Sequence, residues 1–121
     1  RGERAAAQFV RDGGRLLFGS DTPSAPTFAN PPGYNGFLEL RSLEAAGIPA
    51  GQLLQAATLE NARFFNLSRD YGTIEPGKTA NLLLLNADPR SSVAALDSIE
   101  TVIVKGKVVP RKTLGARQDV P

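Results

Sequence analysis

Leu16-Leu17-Phe18-Gly19-Ser20-Asp21-Thr22-Pro23 is the stretch on which the fold turns. Arg15 to Ser20 is short and nearly continuous in its apolar residues, with Gly13-Gly14 before it and Pro23 after it, so it reads as a fully buried strand. Asp21 then stands at the end of that strand, at the mouth of a loop of Thr, Pro, Ser and Asn. Barrel enzymes place catalytic groups at strand ends of this kind. By spacing alone, an ordinary turn or capping aspartate fits Asp-Thr-Pro equally well.

Upstream, Glu3 to Arg11 reads as a helix, with Ala6, Phe9 and Val10 sharing one face and Gly13-Gly14 available to stop it. Downstream, Thr22 to Asn35 holds four prolines, two asparagines and a glycine, with Phe28 and Tyr34 between them. This composition predicts a long, ordered, functional loop. Phe37 to Ala46 follows as an amphipathic helix, its Phe37, Leu40, Leu43 and Ala46 on one face, Asn35 near its start and Gly47 after its end. Pro49 opens the next helix with Leu53, Leu54 and Ala57 on one face, and Thr58 is expected to cap a further turn or two through Phe65. Phe64 and Phe65 are expected in the core. Strand, loop and helix in that order form the last unit of an alternating β/α architecture.

After Asn66 the character changes. Asp70-Tyr71-Gly72 and Pro76-Gly77 are turn signals, the second suiting a type II turn. Asn81 to Ala87, with four consecutive leucines, reads as a strand. Ser91 to Leu96 fits one short helix, and Ile99 to Lys105 a further strand. Lys105-Gly106-Lys107 marks a tight turn, with Val108 and Val109 returning antiparallel until Pro110. Gly77 and Gly106 are explained by turn geometry, and Lys78 as a solvated turn lysine.

The 121 residues leave room for one modest core, packed without Trp, Met or Cys. Fourteen basic against twelve acidic residues give a net charge of +2, and the thin basic cluster of Lys105, Lys107, Arg111, Lys112 and Arg117 reads as solvated surface, with no nucleic-acid partner implied. Having no cysteine and no histidine, the chain offers neither a thiol nucleophile nor the commonest zinc ligand. No run approaches the roughly twenty apolar residues of a membrane span, so a soluble chain with no membrane partner is expected, its compartment left open. A start at Arg1 without methionine suggests a processed product or a piece of something longer.

Four stretches in order complete the reading: Phe18 to Thr22; Ala56-Ala57-Thr58 with Asn61-Ala62; Gly72-Thr73-Ile74-Glu75-Pro76-Gly77-Lys78-Thr79-Ala80-Asn81-Leu82; and Ile99 to Val109. Together they resemble the C-terminal end of an amidohydrolase-superfamily protein, the metal-dependent hydrolases that include imidazolonepropionases and dihydroorotases. The resemblance implies an α/β plus β fold: residues 1–66 as the last β/α unit of a TIM-type (β/α)8 barrel, and residues 67–121 as part of a small β-sandwich and tail. As an isolated chain this makes a compact α+β domain. It further implies metal-assisted hydrolysis of a carbon–nitrogen bond in a small amide or lactam, with Asp21 as ligand of a divalent metal, zinc above all, and as the base that takes a proton from the attacking water.

In that family the remaining ligands, chiefly histidines, lie on earlier strands, so the 121 residues alone are expected to bind no metal tightly and to be inactive. Thr22, Asn30 and Tyr34, ahead of Ser24, Thr27 and Asn35, are the expected substrate contacts on the loop. Asn81 stands where the family has aspartate, a structural position. One strand cannot close a barrel, so the edges of Leu16 to Gly19 and the apolar helix faces are expected to pack on the chain's own sandwich strands or to form homo-oligomers. The alternative is a free-standing small α+β binding or structural domain without catalysis.

Overall fold

Each helix runs until a residue that tolerates a left-handed backbone ends it. The computed structural model describes residues 2–22 and 33–114. Helix α1, Gly2–Arg11, ends at Gly13 (φ 87°), where Gly14 N–H donates to the Phe9 carbonyl at 2.9 Å. Helix α2, Tyr34–Ala45, ends at Gly47 (φ 102°), with Ile48 N–H reaching back to the Leu43 carbonyl at 3.2 Å. These are the glycine stops the sequence predicts. The start of α2 is corrected from Phe37 to Tyr34: Gly33 occupies the cap position, and Asn35 lies within the first turn with its side chain used elsewhere.

Helix α3, Ala50–Gln55, follows Pro49, whose carbonyl accepts from Gln52 and Leu53 N–H. The break expected at Thr58 does not occur. The chain passes through a π-helical turn, Ala56–Glu60, straight into α4, Asn61–Phe64. The Thr58 hydroxyl donates to the Leu54 carbonyl at 2.6 Å, a back-bond that perturbs a helix where a cap would start one. Asn66, at φ 58°, takes the glycine's place at the stop, with Leu67 N–H on the Ala62 carbonyl at 2.7 Å.

These helices close on one core, built from Ala7, Leu40, Leu43, Ile48, Ala50, Leu53 and Val93. Two aromatic expectations are corrected. Ala7 takes the buried place on α1 while Phe9 lies half-exposed over Gly14, where any Cβ would collide with its ring. Phe64 and Phe65 are both exposed, stacked edge-to-face at 5.2 Å on the surface end of α4, because the continuous helix carries them past the core.

Three strands form one antiparallel sheet in the order β1 (Leu82–Leu85), β2 (Ile99–Val104), β3 (Lys107–Pro110). Leu83, Val102 and Val109 stand in register, as do Leu82, Ile103 and Val108. The register shifts between Leu84 and Leu85, which trims β1 inside the expected Asn81 to Ala87. The two-residue turn Lys105-Gly106 (φ 49° and 78°) has the paired positive φ of a type I′ hairpin. A 3-10 helix, Val93–Ser98, stands between β1 and β2, two residues later than expected because Ser92 caps it by accepting Ala94 N–H. Pro76-Gly77 forms the expected turn, with Lys78 N–H on the Glu75 carbonyl at 3.2 Å and Gly77 at φ 90°.

Lys78 is corrected from solvated to structural: its ammonium donates to the Ser68 carbonyl at 2.9 Å and the Thr73 hydroxyl at 2.5 Å. Arg111, placed by the sequence in a solvated basic cluster, donates to the carbonyls of Asp97 and Ile99.

The buried strand expected at Arg15 to Ser20 is also corrected. The segment is extended, but no strand among the described residues pairs with it, and its burial alternates. Leu16, Phe18 and Ser20 are half-buried toward the helices, while Arg15, Leu17, Gly19 and Asp21 are exposed on the other face. A strand needs a ladder, and none of β1, β2 and β3 forms one with this segment. Helices, rather than the sheet, cover the segment: Leu16 and Phe18 pack against the helical core, and Gly36 brings the α2 backbone within reach of Phe18 and Ser20.

Candidate active site

Side chains from two helices hold the extended segment. Asn61, at the start of α4, donates its amide to the Phe18 carbonyl at 2.7 Å. Asn35, in the first turn of α2, reaches the Ser20 carbonyl at 3.4 Å. Ser20 and Thr22 hydroxyls lie 2.9 Å apart, across the left-handed turn at Asp21. That leaves Asp21 between them on the opposite, exposed face.

Asp21 has φ 45°, a left-handed backbone that aspartate, like asparagine, adopts more readily than other non-glycine residues. No described residue pairs with its carboxylate, which is therefore open to a ligand. Among the described residues no three His, Cys, Asp or Glu side chains gather closely enough to hold a metal ion. The described residues thus offer no complete ligand set around Asp21. A single exposed carboxylate can ligate a cation weakly or accept a proton from a neighbouring water.

Thr22 is placed beside Asp21, with its hydroxyl engaged by Ser20. Tyr34 is exposed at the start of α2, its ring 6.4 Å from that of Phe37. Asn30, with Ser24 and Thr27, lies outside the described residues. A cleft of about 500 Å³ runs between α1, residues 16–19 and α2, lined by Ala6, Leu17, Gly19, Leu38, Ser42 and neighbours. Asp21 is not among its walls, so the cleft follows the flank of residues 16–19 and stops short of Asp21. No described helix is long and apolar enough to cross a membrane.

Sequence reasoning passes over Asn61 as a site residue. The available signal is an asparagine, a poor helix former, within a segment that otherwise favours helix, since such a local conflict points to a tertiary task.

A sequence profile of the Amidohydrolase family matches residues 1–109. A 5-methylthioadenosine/S-adenosylhomocysteine deaminase from Caldanaerobacter subterraneus subsp. tengcongensis is 35% identical over 81 residues, covering 57% of this chain and 19% of that protein. A deaminase of the same name from Symbiobacterium thermophilum is 29% identical over 125 residues, covering 89% of this chain and 29% of that one. Among solved structures, a Xaa-Pro dipeptidase with methionine bound in its active site superposes with a TM-score of 0.75 at 23% identity, over 89% of this chain and 25% of the dipeptidase, a likeness of fold. The chain spans less than a third of the length of these curated relatives.

Proposed function

The chain belongs to the amidohydrolase family, and from that premise we propose that residues 1–66 supply the closing β/α unit of a TIM-type barrel in a metal-dependent hydrolase of carbon–nitrogen bonds. The observation that carries this reading is the one-sided burial of residues 15–21. Helices cover Leu16, Phe18 and Ser20, and the bare face carries Leu17, Gly19 and Asp21. In a barrel the outer face of a strand meets helices, the inner face fills the barrel core and the site lies at the strand's C-terminal end, which is where Asp21 stands in this reading.

Residues 67–121 fit a β-sandwich of which one sheet is present. Leu83 and Val104 are exposed on one face of that sheet, Leu84 and Val108 on the other, as expected of a layer whose partner comes from elsewhere in the protein.

In this reading Asp21 is one ligand of a divalent ion, with zinc the expected metal, and the other donors come from barrel strands outside these residues. The ion, when bound, lowers the pKa of a water molecule. The Asp21 carboxylate would take a proton from the attacking water and pass it to the departing nitrogen. Thr22 and Tyr34, with Asn30 between them in the sequence, are the residues this reading assigns to substrate. The names of the curated relatives favour an amine-bearing ring carbon over an amide as the centre attacked.

The complete product of the gene, assayed for ammonia release from 5-methylthioadenosine and adenine and for cleavage of Xaa-Pro dipeptides and lactams, tests this. Hydrolysis of one class, abolished by chelation and restored by zinc, is expected. Asp21→Asn is expected to lower kcat by about 100-fold or more with its circular dichroism unchanged. Wild-type rates in Asp21→Asn would remove Asp21 from the chemistry. A native product of this chain's mass, hydrolysing none of the panel, would leave a small binding or structural domain.

A further inference from the structure

We infer that Asn61 is a positioning residue for Asp21, acting through the backbone of residues 18–20; the inference rests on the reading of Asp21 given above. The segment that presents Asp21 has no strand partner among the described residues, and within them its carbonyls are held by helix side chains. Asn61 supplies one at 2.7 Å to Phe18, across 43 residues of sequence, and it is the shorter of the two side-chain tethers on the segment. Phe18 stands three residues before Asp21. Fixing the Phe18 carbonyl, while the Phe18 ring packs on the core, sets the direction in which the chain arrives at the left-handed turn of Asp21.

The π-helical turn is what aims Asn61. In an α-helix each residue advances about 100° around the axis, so one residue inserted within Ala56–Glu60 rotates everything after it by about that angle. The rotation sets Asn61 toward the segment and Ala62 inward. Gly72 holds the turn in place from the other side. A Cβ on Gly72 would lie 2.8 Å from the Ala62 Cβ and 3.1 Å from the Leu59 Cα, so the two backbones meet where no side chain fits. The Gly72 loop, the π turn, Asn61 and Phe18 thus form one contiguous stack that ends at Asp21.

Two measurements test the assignment together. In this chain, labelled with 13C-carbonyl phenylalanine and 15N-glycine, Phe18-Gly19 is the only Phe-Gly pair and gives a single cross-peak. Asn61→Ala is expected to shift that carbonyl as its hydrogen bond is lost, and to move the Asp21 amide, while the Leu53 and Ile48 methyl resonances stay in place. In the complete gene product the same substitution is expected to lower kcat by about 10- to 100-fold with KM nearly unchanged, the signature of a displaced reacting group.

Asp88→Asn, at an exposed ion pair after β1, is the control and is expected to leave both the Phe18 carbonyl and kcat as they are. An unmoved Phe18 carbonyl in Asn61→Ala overturns the inference. So does a moved carbonyl with unchanged kcat in a protein that Asp21→Asn inactivates, and in that case the reading of Asp21 still stands. Full activity in Asp21→Asn overturns that reading, and with it the catalytic purpose assigned to Asn61.

Discussion

The helical region and the sheet are both rich in aliphatic residues, yet they bury them very differently. Of the nine buried apolar side chains among the described residues, eight lie between Ala7 and Ala62, the ninth is Val93 on the 3-10 helix, and none belongs to a strand. The helices present apolar residues three and four apart, so α1, α2 and α3 can close on each other within one short stretch of chain. The strands are apolar on both faces, and a lone three-stranded layer has nothing to close on. The lesson is that burial follows the availability of a second layer, and apolar composition alone does not secure it. The helices bring their own layer; the sheet and the exposed face of residues 15–21 do not.

The largest effect that would sharpen this contrast comes from equal truncations in the two regions. Leu53 is fully buried, and Leu53→Ala is expected to destabilise the chain by about 2–5 kcal/mol through lost burial and an unfilled cavity. Leu84 is half-exposed in the sheet, and Leu84→Ala is expected to cost less than about 1 kcal/mol. Urea unfolding of both variants measures the pair. Similar costs would mean that the sheet is buried in solution, for instance by self-association, which sedimentation of the wild type would reveal.

The two regions meet at Glu44, where the second expected effect lies. Its carboxylate accepts the Ser92 hydroxyl at 2.9 Å and Val93 N–H at 3.1 Å, holding the start of the 3-10 helix so that Val93 enters the helical core. Glu44→Ala leaves a part-buried amide unpaired and is expected to cost about 1.5–3 kcal/mol. If the contact is the joint between the regions, hydrogen exchange should accelerate first in Val93–Ser98 and the adjoining β2, with α1 little changed. Uniform acceleration along the chain would show that the sheet is not separately anchored.

What the sequence makes legible follows the same division. Helix positions, the glycine stops at Gly13 and Gly47, the Lys105-Gly106 hairpin and the Pro76-Gly77 turn are all readable, because each depends on a few neighbouring residues. The strand at Arg15 to Ser20 is misjudged, since pairing is a property of partners and a short apolar run does not name them. Thr58 misleads for a related reason: its hydroxyl suits a cap, but tertiary packing carries the helix on through a π turn. At the candidate site Asp21 is visible as a carboxylate after an apolar run, whereas the tether from Asn61 spans 43 residues and only the fold brings it there. Lys78 and Arg111 look like solvent-facing charge in the sequence, and only the fold gathers the backbone carbonyls of Ser68, Asp97 and Ile99 around them.

A smaller effect tests whether the sheet depends on local pairing in place of burial. The Asn81 side-chain carbonyl accepts Lys105 N–H at 2.8 Å, while Gly106 N–H reaches the Ala80 carbonyl at 3.0 Å, so the residue ahead of β1 is pinned to the β2–β3 turn. Asn81→Ala should cost about 1 kcal/mol, and Asn81→Asp, which keeps an acceptor in place, much less. Equal losses in the two variants, read from urea midpoints, would show that the asparagine side chain matters for something other than this bond.

The smallest effect belongs to a single exposed pair beside β1, and its sign can be worked out. Arg90 donates three side-chain hydrogen bonds, two of them from Nε, and its backbone N–H to the Asp88 carboxylate, which holds the Asp88 pKa down to about 2. A carboxyl whose folded pKa lies below its unfolded value binds fewer protons when folded, so its contribution to stability is present above pH 4, roughly, and disappears as the pH falls through about 2. Asp88→Asn should therefore lie slightly below wild type at pH 5 and merge with it near pH 2, roughly. The pair is solvent-exposed, so the gap is expected to be small and to narrow further in high salt. Glu75, whose carboxyl is likewise held low by Thr73 and then Lys78, remains in the variant and keeps some acid sensitivity in the same half of the chain. A gap that persists unchanged at about pH 2 would mean that the Asp88→Asn substitution disturbs the turn before the 3-10 helix directly, and that local geometry, with no part played by charge, governs how the sheet is joined to the helices.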